Sequence, residues 1–288
     1  MTAANLTLRA IGDGDVEAVG RFFSTHLDKS IPPERWRAVL APPWAVSAPN
    51  HGYLLEGPDG LAGAYAAVYS EREVDGATVA FCNLAAFCVR EEHRPHSLRL
   101  IRPLLDQKGY VFTDLSPSGS VVELDRRLGF TALDTSTRLV ANVPRLPRRG
   151  VRATSDPAVI EATLRGRDAA AYRDHREAPA ARHVVVVRGA DYAYLVYRRD
   201  RRKGLRLFAS PLYVGGDRDL LRREWSVVRS HLLLRARLPF TLAERRVLGF
   251  AAPLGAELRH PRPKMVRGAA VAPEDVDYLY SELALLEW

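Results

Sequence analysis

Three apolar stretches follow one another between residues 53 and 89, and the breaks between them are too short for anything but tight turns. Residues 53–56, 61–69 and 78–89 suit a pleated surface, while Pro58-Asp59-Gly60 and Asp75-Gly76 supply the turn chemistry between them. Strands joined this closely pair antiparallel, so a meander is expected. The spacing then changes. Ser97, Leu98, Leu100, Ile101, Leu104 and Leu105 recur at helical intervals. Residues 110–113 read as a further strand, and Val121, Val122, Leu124 and Leu128 mark a helix ended by Gly129. Ahead of the meander, residues 6–9 read as a short strand. Val16, Val19, Phe22 and Phe23 share one face of a helix that Asp13 or Asp15 can cap. A second helix runs from Pro32 to Leu40, with proline at its start, and a last strand or pair covers 131–143. The order is β, α, α, β, β, β, α, β, α, β.

Asn142-Val-Pro-Arg-Leu-Pro-Arg-Arg-Gly150 reads as a linker, because two prolines and a glycine among cations suit neither helix nor strand. With 288 residues to divide, two domains are expected, 1–145 and 146–288. The second half repeats the order of the first: a helix over 157–175, strands at 183–188, 192–197 and 205–214, a helix over 217–235 and a strand over 241–248. A tail, 273–286, carries Val276, Leu279, Tyr280 and Leu283 at helical spacing and is expected to dock on a core.

Charge is unevenly spread. Residues 1–147 hold 15 Lys+Arg and 17 Asp+Glu, and the remainder hold 27 and 17, so a net −2 is followed by +10. A basic half suits nucleic acid or acidic ligands. Only four cations are lysine, however, which points to the composition of the source genome, and no aromatic-rich platform for single strands is present. Nucleic acid stays a lesser possibility. Cys82 and Cys88, six apart in one strand, are expected on one face about 20 Å apart, too far for a disulfide, and read as small core residues. No Cys/His spacing predicts a metal. No apolar run approaches the roughly 18 residues of a membrane span, and residues 1–10 lack a leader pattern, so a cytoplasmic protein is expected, as a monomer or a homodimer.

Two junctions carry a family resemblance. Asn83-Leu-Ala-Ala-Phe-Cys-Val-Arg-Glu-Glu-His-Arg-Pro-His-Ser-Leu-Arg99 is similar to the fourth strand, turn and CoA-binding helix of the GNAT acetyltransferases, and Ser118-Gly-Ser-Val-Val-Glu-Leu-Asp-Arg-Arg-Leu-Gly-Phe130 to their later helix. The resemblance covers roughly residues 5–143. It implies an α/β (α+β) fold with a mixed, mostly antiparallel sheet flanked by helices. The order of the second half then implies a second, degenerate GNAT-like domain in tandem.

Further implications concern the site. The fourth and fifth strands would splay apart, with the acyl carbonyl held by a backbone N–H near Phe87, at Cys88 or Val89. The CoA pyrophosphate would sit on Arg94, His96, Ser97, Leu98 and Arg99 at a helix start, where unpaired N–H groups meet anions, with Ser118 nearby. The family's small residues are replaced here by Ser97 and Arg99. Its strand-four glutamate is replaced by Asn83 and its late tyrosine by Asp125. Asp125, beside Arg126 and Arg127, is expected to be solvated, and to serve as an acid only if buried. Asp114, Ser116 and His93 complete the catalytic candidates: Asp114 either handles the amine's proton or caps a turn, and His93 is expected in solvent.

Three functions remain open. The first is direct acyl transfer from acetyl-CoA, or another acyl-CoA, to a small-molecule amine in a ternary complex, without a metal. The second is an aminoacyl-tRNA-dependent transfer. The third is a binding or scaffold role without catalysis. In the second half, Val214-Gly-Gly-Asp-Arg218 stands where a phosphate cradle would fall, but Asp217 would repel phosphate and suits a helix cap.

Overall fold

The computed structural model describes residues 6–146 and 149–287. Its first half runs β1 (Thr7–Ala10), a 3₁₀ turn (Asp13–Asp15), α1 (Val16–His26), α2 (Pro33–Leu40), β2 (Gly52–Gly57), β3 (Gly60–Val74) and β4 (Ala77–Val89). It continues with a 3₁₀ helix (Glu91–His96), α3 (Leu98–Leu105), β5 (Tyr110–Asp114), α4 (Gly119–Arg127), β6 (Thr131–Ala132) and β7 (Thr137–Ala141). This is the order expected. The β3–β4 hairpin closes through Asp75 and Gly76, at φ 50° and 78°, the left-handed pair that a two-residue loop requires. The inward face of α1 is Val16, Val19, Phe22 and Phe23, all buried.

The second half runs β8 (Arg152–Thr154), α5 (Pro157–Thr163), α6 (Gly166–His175), β9 (Arg182–Arg188), β10 (Asp191–Arg202), β11 (Leu205–Gly216), α7 (Arg218–Arg223) and α8 (Trp225–Leu234). Then come β12 (Phe240–Glu244), α9 (Arg245–Leu248), β13 (Gly255–Glu257), β14 (Met265–Arg267), a 3₁₀ turn (Pro273–Asp275) and α10 (Glu282–Leu285). Four expectations need correction. The helix over 217–235 is two, α7 and α8, divided at Glu224. The helix over 157–175 is two, broken where Leu164 and Arg165 take extended conformations before Gly166 at φ 52°. The strand over 241–248 stops at Glu244 and turns into α9. The tail docks as expected but is mostly irregular. Asp277 Oδ1 accepts the amide of Leu279 at 3.0 Å, and the amide of Tyr278 donates to Leu212 O at 3.1 Å, bonds that a helix would forgo.

Two seven-stranded sheets result. The first has the order β1-β2-β3-β4-β5-β14-β6 and the second β13-β7-β12-β11-β10-β9-β8. All pairs are antiparallel except β4 with β5 and β11 with β12. The sheets trade strands across the linker: β7, from before it, lies between β13 and β12, and β14, from far beyond it, lies between β5 and β6. Packing follows the exchange, because one core joins Phe23, Trp36 and Trp44 of the first half to Tyr194, Tyr278 and Leu283 of the second. Trp44 meets the rings of His175 and Tyr280 at 5.0 and 5.1 Å.

One register detail overturns the shared face of the cysteines. On β4, Ala86 lies opposite Ala66 and Leu84 opposite Ala67, so Ala85 is an extra residue, a β-bulge. The bulge inverts the alternation beyond it. Cys82 packs with Leu84 and Phe112 in one core and Cys88 with Ala86 and Leu115 in another. Burial pushes their thiols up to about 12 and about 11, so neither is a ready nucleophile.

Candidate active site

β4 and β5 stay in parallel register from Ala80↔Tyr110 to Asn83↔Thr113 and then part. A cavity of about 310 Å³ opens in the fork, walled by Leu84, Ala85, Ala86 and Phe87 on one side and by Asp114, Ser116, Pro117 and Ser118 on the other. Tyr65 lies at its base, and Trp36 and Asp28 approach from the α1–α2 region. The β4 wall is an unpaired strand edge. The amide of Arg90 donates to Ala62 O at 2.9 Å. Amide directions alternate along a strand, so those of Val89 and Phe87 point away from β3 toward the gap, and that of Cys88 points to β3. Of the two expected donors, Val89 is the one whose amide points away from β3, but neither it nor Cys88 lines the cavity, whereas Phe87 does.

The opposite wall holds a knot of acids. Asp114 ends β5 and is 5% exposed. Its Oδ1 accepts the amide of Ser116 at 3.3 Å, the turn-capping contact considered for it, while its side of the loop still lines the cavity. Desolvation holds its proton on well above the usual carboxylate range, and the nearby carboxyls of Asp125 and Glu282 add to this. Asp125 is not the solvated residue expected. It is fully buried, both oxygens lack a hydrogen-bond partner, and burial raises its pKa to about 6. The cations beside it turn outward instead, where Arg126 and Arg127 both meet Glu123.

The turn expected to hold pyrophosphate is built more tightly than the sequence implied. Residues 91–96 form a 3₁₀ helix that runs into α3, and the amide of Ser97 already donates to Arg94 O at 3.1 Å. Arg99 reaches the other way, to Leu6 O at 3.0 Å. Arg94, 72% exposed, lies 3.9 Å from Glu91, and Leu98 is exposed. His93 and His96 are half-buried on the same turn. None of these residues lines the fork cavity, whereas Asp114, Ser116, Ser118 and Phe87 do so together.

In the second half, Asp217 caps α7 by accepting the amide of Leu220 at 2.9 Å. Gly215 answers a neighbour there, since a Cβ would fall 1.9 Å from Asp168 Oδ1. Among the described residues no group of His, Cys, Asp or Glu is arranged to hold a metal ion, and no helix is long and apolar enough to cross a membrane. Glu282 escaped the sequence reading altogether. It is fully buried at the fork, accepting from Asn83 Nδ2 at 2.5 Å and from Ser116 Oγ at 2.6 Å. Its one signal, a lone acid entering the apolar run Leu283-Ala-Leu-Leu286, says nothing of where the tail goes.

No family model and no curated protein sequence matches the chain. Solved structures do. A GCN5-related N-acetyltransferase from Kribbella flavida superposes with a TM-score of 0.57 at 16% identity, covering 92% of this chain and 71% of its own. One from Anabaena variabilis gives 0.57 at 12%, covering 91% and 72%. Saccharomyces cerevisiae N-myristoyltransferase with bound myristoyl-CoA gives 0.50 at 10%, covering all of this chain and 86% of its own. With more than nine-tenths of the chain included in these superpositions, the protein has the fold of the GCN5-related N-acetyltransferases, the α/β tandem expected from the two junctions together with the element order of the second half.

Proposed function

We propose that the chain is an acyl-CoA-dependent N-acyltransferase that works in the β4/β5 fork, passing an acyl group, acetyl in the simplest case, directly to the amine of a small molecule. One observation carries this reading: an unpaired strand edge faces, across one cavity, a carboxyl whose burial raises its proton affinity well above the usual carboxylate range. Acyl transfer needs both. A thioester oxygen gains negative charge as the amine attacks, and the amides of Val89 and Phe87 are fixed dipoles aimed into that gap. An amine arriving as ammonium must lose a proton, and a carboxyl made more basic by burial is better suited to accept it than an ordinary carboxylate. Asp114 is that group, and Ser116 and Ser118 line the same wall.

The acyl donor is a substrate here, and the fork fits its reactive end, with Leu84, Ala86 and Val121 as apolar walls. Its phosphates would lie toward Arg94 and His96, where Arg94 is free to form a charge-assisted pair. A non-catalytic role draws on one specific observation, the engaged amide of Ser97 on a turn that also carries Glu91 and Glu92. Calorimetry with acetyl-CoA, longer acyl-CoAs and free CoA separates the readings. Acyl-CoA should bind, and Arg94→Glu should weaken binding roughly tenfold or more by reversing charge at the phosphates. Asp114→Asn should lower kcat about 100-fold with little change in donor affinity. No binding by any acyl-CoA would remove the enzyme reading in favour of the non-catalytic one.

A further inference from the structure

The second sheet forks as the first does, since β11 and β12 pair in parallel only at Phe208↔Phe240 and Ala209↔Thr241. This fork is closed by the chain's own tail. The amide of Tyr278 donates to Leu212 O on the freed edge of β11, and its hydroxyl donates to Glu244 at the end of β12. About 40 Å³ remains, little more than one water's share of liquid. From there the tail passes to the first fork, where Ser281 Oγ accepts the amide of Leu283 at 3.2 Å and starts α10 with Glu282.

Glu282 spans the point where β4 and β5 separate. Asn83, which donates to it, is the last β4 residue in register with β5, and its own Oδ1 accepts from Thr113 Oγ1 at 2.9 Å. Ser116, the other donor, lines the cavity, and its amide holds Asp114. A single buried carboxylate thus ties one wall of the fork to the other. We propose that Glu282 is a positioning residue of the acyl-transfer site: the tail of the second half brings it to the first fork, where it fixes Ser116 and the loop bearing Asp114.

This rests on the function proposed above and adds a reason for an acid at 282. Burying a charge costs several kcal/mol unless partners satisfy it. Glu282 has two donors and the field of Arg198, which oppose the rise that burial imposes on its pKa. The groups facing Asp114 are Tyr65 from β3, Asp125 from α4, Glu282 from α10 and, across the cavity, Asp28. Of the two carboxyls that add to its raised proton affinity, Glu282 alone has donors to stabilise a negative charge. Environments that push neighbouring carboxyls apart divide the roles of anion and proton carrier between them.

Glu282→Gln keeps the shape and removes the charge. In the full chain, without substrate, carboxyl carbon NMR assigned with Asp114→Asn should show the Asp114 midpoint falling by about one pH unit. In acyl-transfer assays the acidic limb of kcat/KM should move down equally, while KM for acyl-CoA stays within about threefold. Glu282→Asp, which retains charge, should restore part of the shift. Ser116→Ala loosens the same link from the cavity side and serves if Glu282→Gln does not fold. An unmoved Asp114 midpoint in the variant that folds overturns the proposal. A moved midpoint in a chain that acylates no amine supports the link between Glu282 and Asp114 and counts against the proposed reaction instead.

Discussion

Asp125 sits buried on α4 with no hydrogen-bond partner for either oxygen. Its folded-state pKa, about 6 against an ordinary 3.8, means that the native state holds this proton more tightly than the unfolded chain does. The resulting stabilisation is complete below pH 3.8 and is lost as pH rises through about 6. Asp125→Asn, neutral throughout, should therefore gain on the wild type between pH 4 and 7.5, by about 3 kcal/mol at most for a shift of this size. Urea unfolding at the two pH values measures the gain, and a difference that ignores pH would contradict the burial. Asp114 was legible as a candidate because it closes an apolar strand and begins a Ser-Pro-Ser turn. Asp125 was misread because Glu123, Arg126 and Arg127 surround it in sequence, and only the set of the helix on the sheet decides which of four charged neighbours faces inward.

Single elements were read well where their signals are local. The Asp75-Gly76 hairpin, the Gly129 stop and the Asp217 cap depend on nearby residues and appear as expected. The bulge at Ala85 has no local signal in an apolar run, yet it decides which way residues 86–89 face and frees β4 beside the fork. Glycine at the end of β11 shows the same limit in another form. Gly215 looked fit for a phosphate, but Asp168, held by the hydroxyls of Tyr192 and Tyr213 at 2.8 and 2.6 Å, occupies the space over it. Gly215→Ala should accordingly cost about 1–3 kcal/mol by overpacking, read from chemical denaturation. An unchanged stability would mean that Asp168 yields freely.

At the scale of the molecule, β7 and β14 bind the halves by backbone hydrogen bonds, and the buried Arg72–Asp277 pair, at 3.2 Å, joins β3 to the tail. Neither half contains all of its own sheet. Residues 1–146 produced alone should lack a cooperative thermal transition, and mixing with residues 147–288 should restore one. Circular dichroism melts test this, and a sharp melt of the first fragment alone would show that β14 is dispensable. No periodicity foretold the exchange, because three-residue strands such as β13 and β14 are too short to carry a pattern, and their partners lie more than a hundred residues away.

That separation sets a schedule for the protein's birth. Asp114 leaves the ribosome long before Met265, the residue that pairs with it. At roughly 5–20 residues per second, β5 waits about eight to thirty seconds with a bare edge. A nascent chain in that interval has most of its first sheet but neither β14 nor Glu282, so the acid wall of the fork is completed only after residue 282 has emerged.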